Sequence, residues 1–281
     1  MNRQAARKMV IVLGMHRSGT SAITRGLATL GVEPGDNLLP PAQENNETGF
    51  WEDKDVYDFN ERLLSKLGRH WDSASLIDDA AITSEVCAPE REEAANLLQQ
   101  KLTRYPSFGI KDPRICILLP FWKMVFQAID IEPRYIICVR NPEGVIRSLT
   151  KRDNFSREKS LALWLTHTLA AIYHTANEQR IFVDYELMLE APERELGRMA
   201  ECIGAQVPAP EHPAMLEYTR NFLSKNLNHS TAREPDSAPQ GDSDAWAANV
   251  YLECKQQAIN PNASCATLYS AFDALKKMAF A

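Results

Sequence analysis

Residues 9–30 of this 281-residue chain read MVIVLGMHRSGTSAITRGLATL. The apolar run 9–13 is too short to cross a membrane and has the length of a buried strand. Gly14 ends this run, and from Thr20 onward apolar residues recur at the three- and four-residue steps of a helix. The stretch therefore predicts a strand, a tight turn and a helix in direct succession.

The turn between this strand and this helix has the spacing of a phosphate-binding loop. Backbone N–H groups at a helix start attract anions, and the helix dipole adds to that attraction. Gly14-x-x-x-x-Gly19-Thr20-Ser21 is the P-loop pattern, except that Thr20 stands where a lysine reaches the β- and γ-phosphates of a triphosphate. Arg17 brings positive charge from inside the loop. The pattern favours a phosphate-bearing ligand other than ATP or GTP, and its alternative is a plain tight turn.

A second predicted strand-to-helix unit carries a basic residue and a hydroxyl group. The run 134–139 has the pattern of a buried strand, and Arg140 stands at its end. Asn141 and Pro142 suit the cap and the first position of a helix, which carries Ser148 further along. An arginine fork and a hydroxyl so placed can converge on one phosphate. Taken alone, this motif also fits an exposed arginine and a surface serine.

Charged residues follow a third predicted strand, 108–110. Lys111, Asp112 and Arg114 surround a proline between two apolar segments. Such charges are costly to bury unless they are paired or used, and ligands of open parallel sheets bind at the carboxyl ends of strands. The segment is therefore either part of a binding site or an ion-pair cluster that shapes the turn.

The two phosphate motifs together resemble those of the sulfotransferase family, whose members use 3′-phosphoadenosine 5′-phosphosulfate (PAPS). The residues that resemble its 5′-phosphosulfate loop are His16, Arg17, Ser18, Gly19, Thr20 and Ser21. Arg140 and Ser148 resemble the segment that holds the 3′-phosphate. The resemblance implies PAPS as the cofactor and 3′-phosphoadenosine 5′-phosphate (PAP) as its product. With the strand patterns, including a fourth at 180–184, it implies an α/β fold with a P-loop-type parallel sheet of about four to five strands flanked by helices.

The resemblance also implies a chemistry, the transfer of a sulfuryl group from PAPS to a hydroxyl or an amine. In that chemistry Arg17 stabilises the charge on the bridging oxygen, and Lys111 assists at the sulfuryl oxygens. The histidine base of the cytosolic members has no counterpart here. We therefore expect a carboxylate to take the acceptor's proton, Glu52 as first candidate and Asp112 as second. No metal is required, and the spacing of candidate ligands indicates none.

The composition is typical of a globular protein, with 44% hydrophobic and 24% charged residues. We expect a single sulfotransferase-like domain over 1–281, with 208–281 as a C-terminal helical and loop extension that packs on it. The net charge of −6 argues against nucleic acid as a partner. No stretch predicts a membrane span, and the six cysteines include no C-x-x-C pair. The chain thus resembles the soluble, bacterial-type members and fits the reducing cytoplasm.

Several features stay open at this level. The acceptor can be a carbohydrate, a lipid headgroup or a small metabolite, and the oligomeric state is not readable. Trp51, in the irregular segment 37–53, either packs against a substrate or fixes its loop to the core. Lys225 and Arg233 suit either a basic loop over the nucleotide or a solvated linker. The competing functions are a P-loop-type nucleotide or small-molecule kinase, against which Thr20 speaks, and a non-catalytic nucleotide-binding protein.

Overall fold

The computed structural model describes residues 8–42, 49–223 and 241–280. Their strands are β1 (Lys8–Leu13), β2 (Ser107–Lys111), β3 (Arg134–Val139) and β4 (Arg180–Asp184). These strands form one four-stranded sheet in the order β2-β1-β3-β4, and all its pairings are parallel. The predicted α/β fold with a P-loop-type parallel sheet is confirmed.

Helices cover both faces of the sheet. Their bounds are α1 (Thr20–Thr29), α2 (Lys54–Lys66), α3 (Asp79–Thr83), α4 (Ala88–Arg104), α5 (Ile115–Ala128), α6 (Pro142–Asp153), α7 (Arg157–His174), α8 (Tyr185–Glu190), α9 (Pro192–Ile203), α10 (Pro213–Leu216), α11 (Asp242–Ile259) and α12 (Ala266–Ala279). A 3₁₀ turn, Glu85–Cys87, precedes α4, and a π-helical turn, Glu217–Phe222, follows α10. In the described part of the chain, no helix has both the length and the apolar character of a membrane span.

The strands are buried on both faces, which explains their continuous apolar runs. In β1, Val10 and Val12 belong to the apolar layer that includes α1 and α9. Met9, Ile11 and Leu13 belong to the larger layer on the other face, which includes α4, α5, α7, α11 and α12. Successive side chains of β1 point to opposite faces of the sheet, so this strand packs against both apolar layers.

The described part of the C-terminal segment packs on this body. Helix α11 contacts β4 and α7, and α12 contacts α7. The ring of Phe272 in α12 stacks on Tyr173 in α7, with centroids 4.2 Å apart. The single-domain division remains a prediction, and Lys225 and Arg233 lie outside the described residues.

The order of the strands brings the predicted motifs to one edge of the sheet. Strand β1 lies between β2 and β3, and the carboxyl ends of all three point the same way. In such sheets a ligand binds where the strand order reverses direction. The loop after β1, Lys111 at the end of β2 and Arg140 after β3 therefore meet at this edge.

Candidate active site

Backbone and thiol contacts hold the loop between β1 and α1. The N–H of Ser18 donates to the carbonyl of Met15 at 3.1 Å, which closes the turn. The N–H of Gly14 donates to Sγ of Cys116 at 3.1 Å, and the thiol of Cys138 donates to the carbonyl of Ser18 at 2.8 Å. Burial raises the pKa of both thiols, so they stay protonated. Reduced cysteines of α5 and β3 therefore fix the loop against the sheet.

Gly19, at the start of α1, is a position that only glycine fills without strain. Its φ of 86° is left-handed. A Cβ atom there would lie 2.1 Å from Cδ2 of Tyr185, the first residue of α8. The tyrosine ring therefore packs directly on the loop backbone, and the start of α8 becomes a wall of the site.

Arg17 and Ser148 belong to different sequence motifs and contact each other directly. Nε of Arg17 donates to Oγ of Ser148 at 2.6 Å. Arg140 donates from Nη1 to the carbonyl of Arg17 at 2.9 Å, and its guanidinium lies 4.6 Å from the ring centroid of Tyr185. Burial, together with the charges of Arg152 and Arg140, lowers the pKa of Arg17 to about 10, so Arg17 stays charged at neutral pH. The two motifs thus form one cationic surface.

Three buried polar atoms at this surface have no hydrogen-bond partner among the described residues. They are His16 Nε2, Ser18 Oγ and Arg140 Nε. Burying such atoms without a partner is costly, and their chemistry fits a ligand that is rich in phosphate oxygens. Burial first, and then the nearby charge of Arg114, lowers the pKa of His16 well below its ordinary value. Its imidazole is therefore neutral at pH 7.

Lys111 and Glu52 form a buried ion pair beside the loop, with side chains 4% and 5% exposed. Nζ of Lys111 donates to Oε1 of Glu52 at 2.6 Å, to the carbonyl of Phe50 at 2.8 Å and to Oγ of Ser21 at 3.3 Å. Burial raises the pKa of Glu52, and the charge of Lys111 opposes that rise. The lysine therefore holds the Glu52 carboxylate near the hydroxyl of Ser21, at the start of α1.

Asp112 belongs to a different network. Its Oδ2 accepts from Nδ2 of Asn60 at 2.8 Å, and its Oδ1 accepts from the N–H and Nη1 of Arg114 at 3.0 and 2.9 Å. Oδ1 of Asn60 in turn accepts from Nε1 of Trp122 at 3.0 Å. The two roles predicted for segment 111–114, binding site and ion-pair cluster, thus belong to different residues. Lys111 faces the start of α1, whereas Asp112 forms an ion pair with Arg114.

A cavity of about 580 Å³ opens at this edge of the sheet. The predicted site residues that line it are His16, Arg17, Gly19, Thr20, Ser21, Glu52, Lys111 and Arg140. Of the others, Ser18 is buried in the loop, Ser148 contacts Arg17, and Asp112 is absent from the described lining.

Other wall residues were not assigned to the site from the sequence, namely Tyr57, Trp71, Arg114, Arg152 and Tyr185. The guanidinium of Arg114 lies over the ring of Tyr57. Its Cζ atom is 4.3 Å from the ring centroid. The Trp71 ring meets His16 edge-on at 4.9 Å between centroids. The sequence signal that could have found Tyr185 is its place directly after a strand, like that of Arg140.

Trp51 fixes its loop to the core, which decides between the two predicted roles. The guanidinium of Arg25 in α1 lies 5.4 Å from its ring centroid. Its ring also meets Phe222 edge-on, with centroids 6.3 Å apart. The neighbouring residue, Glu52, is thereby held at the cavity.

Comparisons with known proteins give one match to a family. The model of the sulfotransferase domain matches residues 7–256. No curated protein matches the chain at a significant level.

Several solved structures resemble the chain at low sequence identity. The sulfotransferase domain from the curacin biosynthetic pathway has a TM-score of 0.48 and 14% identity, with 86% of this chain and 96% of that chain covered. Sulfotransferase STF9 from Mycobacterium avium has a TM-score of 0.47 and 15% identity, with 99% and 78% covered. Mouse sulfotransferase SULT7A1, complexed with PAP, has a TM-score of 0.40 and 18% identity, with 100% and 92% covered.

Proposed function

The chain belongs to the sulfotransferase domain family, and we propose that it transfers a sulfuryl group from PAPS to a hydroxyl or an amine of an acceptor molecule. The observation that carries this proposal is the 2.6 Å hydrogen bond between Arg17 and Ser148. It joins a loop suited to a 5′-phosphosulfate to a segment suited to a 3′-phosphate. One nucleotide that bears both groups can therefore contact both motifs.

The cations and hydroxyls of the site fit such a donor. The N–H groups at the start of α1, with the hydroxyls of Thr20 and Ser21, suit the 5′ end. Arg140 and Ser148 suit the 3′-phosphate. His16 and Ser18 each contribute a buried polar atom that has no hydrogen-bond partner in the described residues. When bound, the donor supplies a sulfuryl group attached to a phosphate oxygen.

In this proposal Glu52 takes the acceptor's proton. The acceptor oxygen or nitrogen forms a bond to sulfur, the bond from sulfur to the 5′-phosphate oxygen breaks, and the proton passes to a Glu52 carboxylate oxygen. The raised pKa of Glu52 suits a base. Lys111 orients Glu52, and Arg17 stabilises the negative charge that grows on the leaving phosphate. Asp112, the second candidate, instead positions Arg114.

The acceptor is proposed to bind against Tyr57 and Trp71, which both line the cavity. Aromatic walls of this kind suit the face of a sugar or of another ring, so we expect a small molecule or a glycan. We place the reaction in the cytoplasm, because a reducing compartment preserves the thiols of Cys116 and Cys138 that hold the loop.

Calorimetric titration tests the cofactor. We expect PAP to bind more tightly than 5′-AMP or ATP with Mg²⁺. Arg140→Ala should lower the affinity for PAP toward that for 5′-AMP. It should leave the affinity for 5′-AMP nearly unchanged. The matched control is Arg147→Ala, because Arg147 is an exposed residue of the helix that carries Ser148. Equal affinity for PAP and 5′-AMP in the unmodified protein would remove the cofactor assignment.

A further inference from the structure

Two carboxylates and a tyrosine form a cluster at the carboxyl end of β4. Asp184 ends the strand, and Glu186 lies in the first turn of α8. The hydroxyl of Tyr251 in α11 lies 3.0 Å from Oδ2 of Asp184, to which it donates, and 3.4 Å from Oε2 of Glu186. Helix α11, in the C-terminal segment, therefore contacts both acidic residues beside the cavity.

The same cluster contacts the arginine assigned to the 3′-phosphate. Oε1 of Glu186 lies 3.8 Å from Nε of Arg140. Arg140 is held on its other sides by the carbonyl of Arg17 and the ring of Tyr185. Glu186 is thus an acidic neighbour of Arg140.

The surroundings of Glu186 favour a proton on the cluster near neutral pH. Burial, followed by the charge of Asp184, raises the pKa of Glu186 to about 7. Burial also raises the pKa of Asp184, whereas the hydroxyl of Tyr251 opposes that rise. Charged and titratable groups that face Glu186 in the described residues include Asp184, Arg140, Lys255, Tyr251 and Cys138.

We propose that Glu186 couples nucleotide binding to proton uptake, with Tyr251 of α11 as the residue that positions it. This inference rests on the proposed function, because it needs a 3′-phosphate on Arg140. A phosphate dianion there repels the Glu186 carboxylate and withdraws Arg140 from it. One carboxylate oxygen of the cluster then binds a proton from solvent, which removes the repulsion.

Titration of the intact protein with PAP at pH 7, in two buffers of different ionisation enthalpy, measures this proton. We expect a net uptake of a sizeable fraction of one proton per nucleotide. If the cationic site acted only on the phosphates of PAP, those phosphates would lose protons on binding. Net proton uptake therefore indicates the carboxylate cluster, and net proton release indicates the phosphates alone. Glu186→Gln should abolish the proton uptake. It should also raise the affinity for PAP at pH 8.5 by on the order of fivefold. Glu193→Gln, at an exposed position in α9, is the matched control.

Tyr251→Phe provides a second variant that keeps the packing of α11. The hydroxyl of Tyr251 stabilises the ionised forms of Asp184 and Glu186. Without this hydroxyl, the pH at which proton uptake is largest should rise. Tyr269→Phe is the control, because the Tyr269 hydroxyl accepts from Arg180, away from the cluster. If PAP binds with a clear preference over 5′-AMP but without proton uptake, the role of Glu186 is wrong and the proposed function stands. If that preference is missing, the proposed function fails as well.

Discussion

Gly19 combines two constraints on one residue, a left-handed backbone and the contact with Tyr185. Gly19→Ala should lower the free energy of unfolding by about 2 kcal/mol, since a non-glycine residue in this backbone region is strained. It should also weaken PAP binding, because the Tyr185 ring must move away from the loop. Calorimetry and urea denaturation measure both effects.

Gly197→Ala is the matched control for this change. Gly197 lies inside α9, and a Cβ atom there would meet nothing within 4 Å. Alanine is the better helix former, so this variant should gain up to about 1 kcal/mol and bind PAP normally. An equal loss of affinity in both variants would disprove the role of the Tyr185 contact.

The roles proposed for Glu52 and Asp112 lead to different kinetic outcomes. Glu52→Gln removes the base but keeps a carbonyl oxygen for Lys111, so kcat should fall by about 10²- to 10⁴-fold while PAP affinity changes little. Asp112→Asn should mainly lower the Tm, because it leaves Arg114 with fewer buried partners. A loss of turnover in Asp112→Asn without a loss of Tm would reverse the two assignments.

The sequence placed both carboxylates near the site and ranked Glu52 before Asp112, but it did not reveal which groups either side chain contacts. Glu52 stands in an irregular segment and Asp112 at the end of a strand, and neither place reveals what the side chain contacts. The difference arises from residues far away in the chain. Asn60 and Arg114 occupy the oxygens of Asp112, whereas Lys111 turns Glu52 toward the loop. Contacts of this kind depend on the packed helices and not on a local motif.

At the scale of elements, Lys101 in α4 anchors the start of α2. Its Nζ lies 2.7 Å from Oδ2 of Asp53, whose side chain is 0% exposed, and Asp53 caps α2 through the N–H groups of Asp55 and Val56. Lys101→Met leaves that carboxylate buried without its cation. We expect the free energy of unfolding to fall by about 3 kcal/mol, measured by urea denaturation.

Lys54→Met provides the comparison for an exposed ion pair. Lys54 and Asp58 are 46% and 43% exposed, so breaking their contact should change stability by less than about 0.5 kcal/mol. Since Asp53 follows Glu52 directly, the Lys101 variant should also lower turnover. Equal stability of the two variants would contradict the anchoring role.

Helices with one apolar face could be predicted from the sequence, whereas α5 could not. In helix α2 the buried apolar residues Val56, Phe59, Leu63 and Leu64 recur at three- and four-residue steps, a pattern that is visible in the sequence. Helix α5 is apolar almost all round and contains Pro120, so it shows no stripe and includes a residue that usually ends helices. Nine of its 14 residues are buried, and it packs against α3, α4 and α7, which explains why it shows no single apolar stripe.

For the molecule as a whole, buried histidines predict a loss of stability in acid. Burial lowers the pKa of His167 to about 4 from an ordinary value of 6.5. The unfolded chain therefore binds a proton at this residue below pH 6.5, and the folded protein does so only near pH 4. The contribution of His167 to the free energy of unfolding is therefore complete above pH 6.5 and declines as the pH falls toward 4.

His167→Gln isolates that contribution. Between pH 7 and pH 4.5 the unmodified protein should lose about 2.5 kcal/mol more stability than this variant, as measured by denaturation at each pH. A constant offset between the two proteins reports only on packing. Parallel stability curves across this range would contradict the prediction, because they would mean that His167 binds its proton over the same pH range in the folded and the unfolded protein.

The four strands were predictable because each is a short apolar run, but their order was not. Neighbouring strands of a parallel sheet come from distant parts of the chain, and no local pattern records which ones pair. The same holds for the cavity, whose wall joins Tyr57, Trp71 and Arg152 from three separate segments. The sequence identified the motifs that meet and not the wall around them.

The hydrogen bond from Arg17 to Ser148 spans 131 positions of the chain. A ribosome makes the chain from its N-terminus, so the phosphate loop emerges long before the segment that completes it. A partly made chain thus exposes half of the cationic surface that the proposed function assigns to a nucleotide. Under the proposed function, the complete surface exists only in the finished sheet, and a bound nucleotide shifts the folding equilibrium toward that state by mass action. Under the proposed function, a bound nucleotide would therefore lower the fraction of finished protein that is open to proteases.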